Sequence, residues 1–121
     1  MTIQECYSRM GGDYAQVLNR LPSEALVKRF IAKFLDDGCY SELCQAMAGG
    51  DRETAFRAAH TLKGVTANLG LERLRRSSSE LTELLRPEGA GIPDEAQALL
   101  KTVCEDYQTT AAAIRKYQSG M

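Results

Sequence analysis

Along most of the chain apolar residues recur at intervals of three and four, whereas strict alternation and clusters of β-branched residues are nearly absent; this is the period of helices. A short helix is expected over about residues 13–20, with Asp13 as N-cap and Pro22 closing the segment. Ser23 can cap the next one. There Leu26, Val27, Phe30, Ile31, Phe34 and Leu35 form one wide apolar stripe, which marks a core helix, and Gly38 gives the stop. A shorter helix with Tyr40, Leu43 and Met47 on one side ends at the Gly49 and Gly50 pair. Asp51 is a good N-cap for a helix carried to about Leu69 before Gly70 breaks it, and Leu71, Leu74, Leu81, Leu84 and Leu85 continue as a seam of helical period up to Arg86. Two prolines and two glycines make residues 87–93 a loop. A long last helix follows over about 94–117, with Ala96, Leu99, Leu100, Val103, Tyr107, Ala111, Ile114 and Tyr117 on its apolar face. Short connections favour antiparallel neighbours. The expected fold is therefore all-α, an up-and-down antiparallel four-helix bundle with one or two short additional N-terminal helices.

A length of 121 residues suits one hydrophobic core, so the chain reads as a single domain over 1–121. With 44% apolar and 26% charged residues it falls among soluble globular proteins rather than disordered or membrane chains. Its 15 basic and 16 acidic side chains nearly cancel, so no overall field draws it to nucleic acid or to an anionic membrane, and any electrostatic recognition is local. The first residues lack the basic and apolar regions of a signal peptide, and no apolar run approaches the roughly 20 residues of a membrane span. A cytosolic location is expected, and with it reduced thiols at Cys6, Cys39, Cys44 and Cys104, which read as small apolar fillers. The absence of a Cys-x-x-Cys pair and the single histidine argue against zinc, and neither a metal nor a cofactor is expected on this chain.

Residues 53–69, wound at about 100° per residue, place Ala55, Ala58, Leu62, Thr66 and Leu69 within about 50° of one direction, which faces the core. His60 lies roughly opposite and should point to water. Around it on the exposed face come Glu53, Phe56, Arg57, Lys63, Gly64 and Ala67. Gly64 is the most informative, because a glycine inside a helix costs about 1 kcal/mol relative to alanine and an exposed one gains nothing in packing. Its use lies in what it leaves empty: one turn after His60, the missing side chain clears an approach to the imidazole. Lys63, at i+3, can offset the charge of roughly −1.5 to −2 that a phosphoryl group brings, and Arg57, at i−3, could act from the other side. Taken alone, both cations would be ordinary solvated helix charges. Phe56, one turn before His60, either tucks against the preceding helix or forms, with Ala67 and the gap at Gly64, an apolar platform around a polar centre, as docking surfaces do. Imidazole is a competent nucleophile near neutral pH, and phosphoryl transfer depends mostly on positioning and charge stabilisation. No acidic cluster for magnesium accompanies His60, so the metal falls to a partner. No Gly-rich phosphate loop equips the chain to phosphorylate itself.

The segment Ala59-His60-Thr61-Leu62-Lys63-Gly64, followed by Asn68-Leu69-Gly70, resembles the signature of the histidine phosphotransfer (HPt) family of two-component phosphorelays. Phe34, Leu43, Ala46 and Asp51 are similar to that family's run into the histidine helix, and the resemblance extends from about Pro22 to Arg86. It implies a four-helix bundle in which His60 is the phosphoacceptor, Lys63 stabilises the phosphorylated ring, Gly64 gives access and Gly70 caps the helix. It also implies a phosphoryl carrier rather than an enzyme. The partners would be response-regulator receiver domains, which bring the magnesium, and a hybrid histidine kinase, and the chain itself would be a monomer. Val65 stands where the family more often has a small residue, a departure that leaves the mechanism untouched. Asn68 lies about 80° from His60 and two turns along, too far round to be given a role.

Two other readings share the same helix. A docking-only bundle would present the face without transferring anything, and loss of the histidine would be its sign; His60 is present. The phosphorylated segment of a chemotaxis-type histidine kinase would be followed by kinase domains, whereas this sequence stops after its last helix.

Overall fold

Where Thr, Asp or Ser stands just ahead of an amphipathic run, its side-chain oxygen accepts from a backbone N–H one turn on, and a helix starts there. The computed structural model, which describes residues 1–86 and 91–120, has seven helices among those residues and no strand. Thr2 opens α1 (Ile3–Met10) with a reciprocal capping box to Glu5, Asp13 opens α2 (Tyr14–Leu18) and Ser23 opens α3 (Glu24–Leu35). The remaining elements are α4 (Cys39–Ala48), α5 (Arg52–Asn68), capped by Asp51, α6 (Glu72–Leu84) and α7 (Glu95–Gln118). Of the loop expected over 87–93, residues 87–90 lie outside the described residues; Gly91 to Pro93 are non-helical.

Each of α4, α5, α6 and α7 packs against its neighbour in sequence. The circuit closes where Tyr40 of α4 stacks on Tyr107 of α7, ring centroids 3.7 Å apart and planes 5° apart, with Phe34 of α3 leaning on the same ring. This is the four-helix bundle. Its centre is lined by Leu43, Leu62, Leu74, Leu81, Val103 and Ile114, all fully buried.

The N-terminal region departs from expectation in three respects. One or two short N-terminal helices were expected, but none was placed ahead of residue 13; there Ile3, Cys6, Tyr7 and Met10, at helical spacing, are buried against the rest of the protein, and α1 packs on α7. Helix α2 is shorter than the 13–20 segment, beginning after Asp13 as foreseen but ending at Leu18. In α3 the stripe is narrower than its composition suggests. Val27, Ile31 and Phe34 are buried, but Phe30, on the edge of the stripe, is 38% exposed, the only large apolar side chain so exposed among the described residues. The reason is geometric: the inward direction of α3 is set by positions 27, 31 and 34, and Phe30 lies to one side of it, at the rim of a groove shared with the C-terminal end of α5.

Candidate functional site

Helix α5 is fixed at both ends. At its start the Arg52 guanidinium donates to the carbonyls of Leu84, Leu85, Arg86 and Gly91 at 2.7–3.3 Å, so the first residue of α5 also caps the end of α6. At its far end three N-terminal groups take up carbonyls that a helix terminus leaves without intrahelical partners. Arg20 donates to Ala67 O at 2.7 Å, the Tyr7 hydroxyl to Leu69 O at 2.7 Å, and the Asp13 N–H to Gly70 O at 2.8 Å. Gly70 stands at φ +67°, and a Cβ there would come within 2.7 Å of the Asp13 carbonyl, so this corner accepts only glycine.

Between these anchors the core face is the expected one: Ala55, Ala58, Leu62, Thr66 and Leu69 are buried, joined by Ala59. His60 is exposed on the opposite side. Gly64, one turn on, is also exposed, and a Cβ built on it would meet no atom within 4 Å. A side chain at position 64 would therefore stand in open space.

The two flanks of His60 differ. Toward α6, Phe56 and Lys63 are half-buried, and the Phe56 ring lies nearly parallel to the imidazole with centroids 6.0 Å apart and planes 19° apart. Phe56 does not simply tuck against the preceding helix. The Arg86 guanidinium sits 5.7 Å from its ring centroid and chelates Glu83 through two hydrogen bonds of 2.8 and 2.9 Å. That hydrogen bonding holds the Glu83 carboxyl below the usual range, with smaller contributions from the charges of Arg86, Lys63 and His60. Lys63, Arg86 and Glu83 thus share one electrostatic neighbourhood with the imidazole.

Toward α4, Arg57 is exposed and pairs with Glu53 at 3.4 Å, a solvated contact of the kind that holds a side chain only loosely. Arg57 and Thr61 border a cavity of about 460 Å³ with Gly38, Cys39 and Glu42. Ala67 is half-buried, with its carbonyl taken by Arg20, while Asn68 is exposed beside it. Arg57 and Lys63 therefore lie on opposite sides of His60.

Sequence reasoning did not find Glu83 and Arg86. Their i,i+3 spacing was visible, but only the packing of α6 on α5 brings them to the histidine face. Among the described residues no group of three or more His, Cys, Asp or Glu side chains is arranged to hold a metal ion, and no helix is long and apolar enough to cross a membrane.

Comparison with the curated proteins and with the solved structures gave no match. The Hpt domain family model matches residues 27–114, from α3 to near the end of α7, and so takes in nearly all of the bundle, His60 included. With this match over most of the chain, and with a helical bundle that exposes His60 beside an open Gly64, the protein belongs to the Hpt domain family, the phosphotransfer domains of two-component systems.

Proposed function

We propose that this protein is a phosphorelay intermediate that accepts a phosphoryl group on His60 from a receiver-domain aspartate and hands it to a second receiver. The observation that carries the reading is the pairing of an exposed imidazole with empty space one turn on, at a glycine that no packing requirement explains. A ring nitrogen of neutral His60 attacks phosphorus in line, the N–P bond forms as the acyl P–O bond breaks, and the receiver's carboxylate leaves. Lys63 offsets the charge that arrives on the ring, and Gly64 admits the receiver. Phe56, Arg57 and Ala67 belong to the surface it covers. Magnesium comes with the receiver, and this chain carries no cofactor of its own. It acts as a carrier without kinase activity, as a cytoplasmic monomer supplied by a hybrid histidine kinase.

The test is transfer of labelled phosphate from a panel of phosphorylated receiver domains to the wild-type protein, to His60→Gln and to Lys63→Ala. Acid-labile label on wild type, none on His60→Gln with its helical content intact, and at least a tenfold slower or shorter-lived label on Lys63→Ala is the expected result (about 1.4 kcal/mol per tenfold). Label on His60→Gln equal to wild type would refute the assignment. Binding without labelling would leave a docking-only module.

A further inference from the structure

We infer that Cys44 of α4 and Cys104 of α7 form an oxidisable dithiol, which hydrogen peroxide converts to a disulfide that staples the seam where the bundle closes. That seam does not involve α5, the helix that carries His60, and the dithiol needs no phosphotransfer to act.

The direction of the helices brings the two thiols together. Arg52, at the start of α5, holds Gly91 O just ahead of α7. At the other end, Tyr7 of α1 donates to Leu69 O after α5, and the neighbouring Cys6 reaches Ala113 O near the end of α7. Helices α5 and α7 are therefore parallel, and α4, which leads into α5 through a tight turn, is antiparallel to both. The stack of Tyr40 on Tyr107 fixes the register of α4 against α7. From that contact Cys44 lies four residues later on α4, about 6 Å along the axis and about 40° round. Cys104 lies three residues earlier on α7, about 4.5 Å along and about 60° round. In antiparallel helices the two steps go the same way, so one turn from the stacked rings the thiols face each other across the seam. Electrostatics agrees with this placement. Burial raises both the Tyr40 hydroxyl and the Cys44 thiol, and after burial the groups that act on them are each other and Cys104.

Exposure separates this pair from the other two cysteines. Cys6 and Cys39 are buried, and desolvation pushes their thiols up to about 11 and about 12, so they stay protonated and enclosed. Cys44 and Cys104 are only half-buried, at the edge of the bundle, where a solute as small as hydrogen peroxide reaches them. The Cys104 thiolate attacks one peroxide oxygen; the S–O bond forms as the O–O bond breaks, hydroxide leaves, and a sulfenic acid remains. Cys44 Sγ then attacks that sulfur. The S–S bond forms, the S–O bond breaks, and the departing hydroxide takes the Cys44 proton as water. Two thiols and one peroxide thus give one disulfide and two waters. Burial keeps Cys44 protonated at neutral pH, which suits it to the second step: it is slow against a solute but held beside the sulfenic sulfur, where proximity replaces nucleophilicity.

Of the seams in the bundle, this one joins helices that are not consecutive in sequence. A bond across it closes the chain from residue 44 to residue 104, and long loops remove the most entropy from the unfolded chain. Oxidation should therefore stabilise the fold.

The experiment exposes reduced wild type, Cys44→Ser and Cys104→Ser to hydrogen peroxide at neutral pH. Remaining thiols are alkylated after unfolding, the peptides are mapped by mass spectrometry without reduction, and thermal unfolding is followed on matched samples. Wild type should link Cys44 to Cys104 within one chain, keep Cys6 and Cys39 as thiols, and return to four thiols with dithiothreitol. Its unfolding midpoint should rise by roughly 10 °C on oxidation. Neither single variant should form a link or gain in midpoint, and Cys44→Ser should leave a sulfenic acid on Cys104 that dimedone traps. Four intact thiols in wild type after treatment that consumes free glutathione would overturn the inference. So would a link that involves Cys6 or Cys39, or one that joins two chains. A Cys44–Cys104 link with an unchanged or lower midpoint would refute the staple.

Discussion

Stability and activity pull in opposite directions at Gly64. An alanine there meets no neighbour, and in an exposed helix interior it should raise stability by about 1 kcal/mol. On the proposed function, the same methyl group stands where a receiver approaches His60. Gly64→Ala is therefore expected to unfold at higher urea concentration than wild type and to transfer phosphate more slowly, and a bulkier residue should exaggerate the second effect. Denaturation and transfer measured on the same preparation check both halves; a variant that gains stability and transfers at the wild-type rate would show that the gap has no part in access. Beside it, the charge environment is richer than one lysine. Glu83 is held ionised by Arg86 and feels Lys63 and His60, so a phosphoryl group arriving on the ring would repel Glu83 while being drawn to both cations.

At the scale of the element, α5 is held at each end by other parts of the chain. Arg52 binds the end of α6, and Tyr7, Asp13 and Arg20 bind the end of α5 itself. Gly70 is where this is most constrained. Gly70→Ala would place a β-carbon in the left-handed region and against the Asp13 carbonyl, and should cost roughly 2–4 kcal/mol. Hydrogen exchange at the Asp13 amide should accelerate along with the fall in unfolding free energy, because its acceptor is Gly70 O. An unchanged unfolding midpoint would mean that the corner relaxes freely. Much of α5 was legible in the sequence, since Asp51, the apolar period and Gly70 mark its start, face and end with local signals. Helix α1 was missed although local signals were present, the Thr2 and Glu5 box and the spacing of Ile3, Tyr7 and Met10, because eight residues are too few to form a helix without burial on α7. The exposure of Phe30 and the arrival of Glu83 and Arg86 beside His60 were not legible. Both depend on which helix lies next to which, and periodicity within one helix carries no information about that.

The whole molecule keeps two thiols in its core, and this gives its stability a defined dependence on alkaline pH. Cys6 and Cys39 are buried, and desolvation pushes their thiols up from 9.0 to about 11 and about 12. Tyr7, buried with its hydroxyl on Leu69 O, is raised by the same cause. In each case the fold favours the protonated form, so the stabilisation is complete below the unfolded value and is lost as pH rises through the folded one. Between pH 9 and 11 the unfolded chain releases protons that the fold retains. Unfolding free energy should then fall with a slope of up to about 1.4 kcal/mol per pH unit for each group. Urea denaturation at pH 7, 8, 9 and 10 should give a plateau followed by a decline. Cys6→Ala, which also loses the 3.5 Å contact from its sulfur to Ala113 O, should lower the plateau but make the decline shallower. A decline as steep in Cys6→Ala as in wild type would clear that thiol and leave the other groups raised by burial, Cys39, Cys44, Tyr7, Tyr40 and Tyr107, to account for it. A free energy flat to pH 10 in the wild type would mean that these groups ionise in the fold as readily as in the unfolded chain, and that water reaches Cys6 between α1 and α7 and Cys39 at the start of α4.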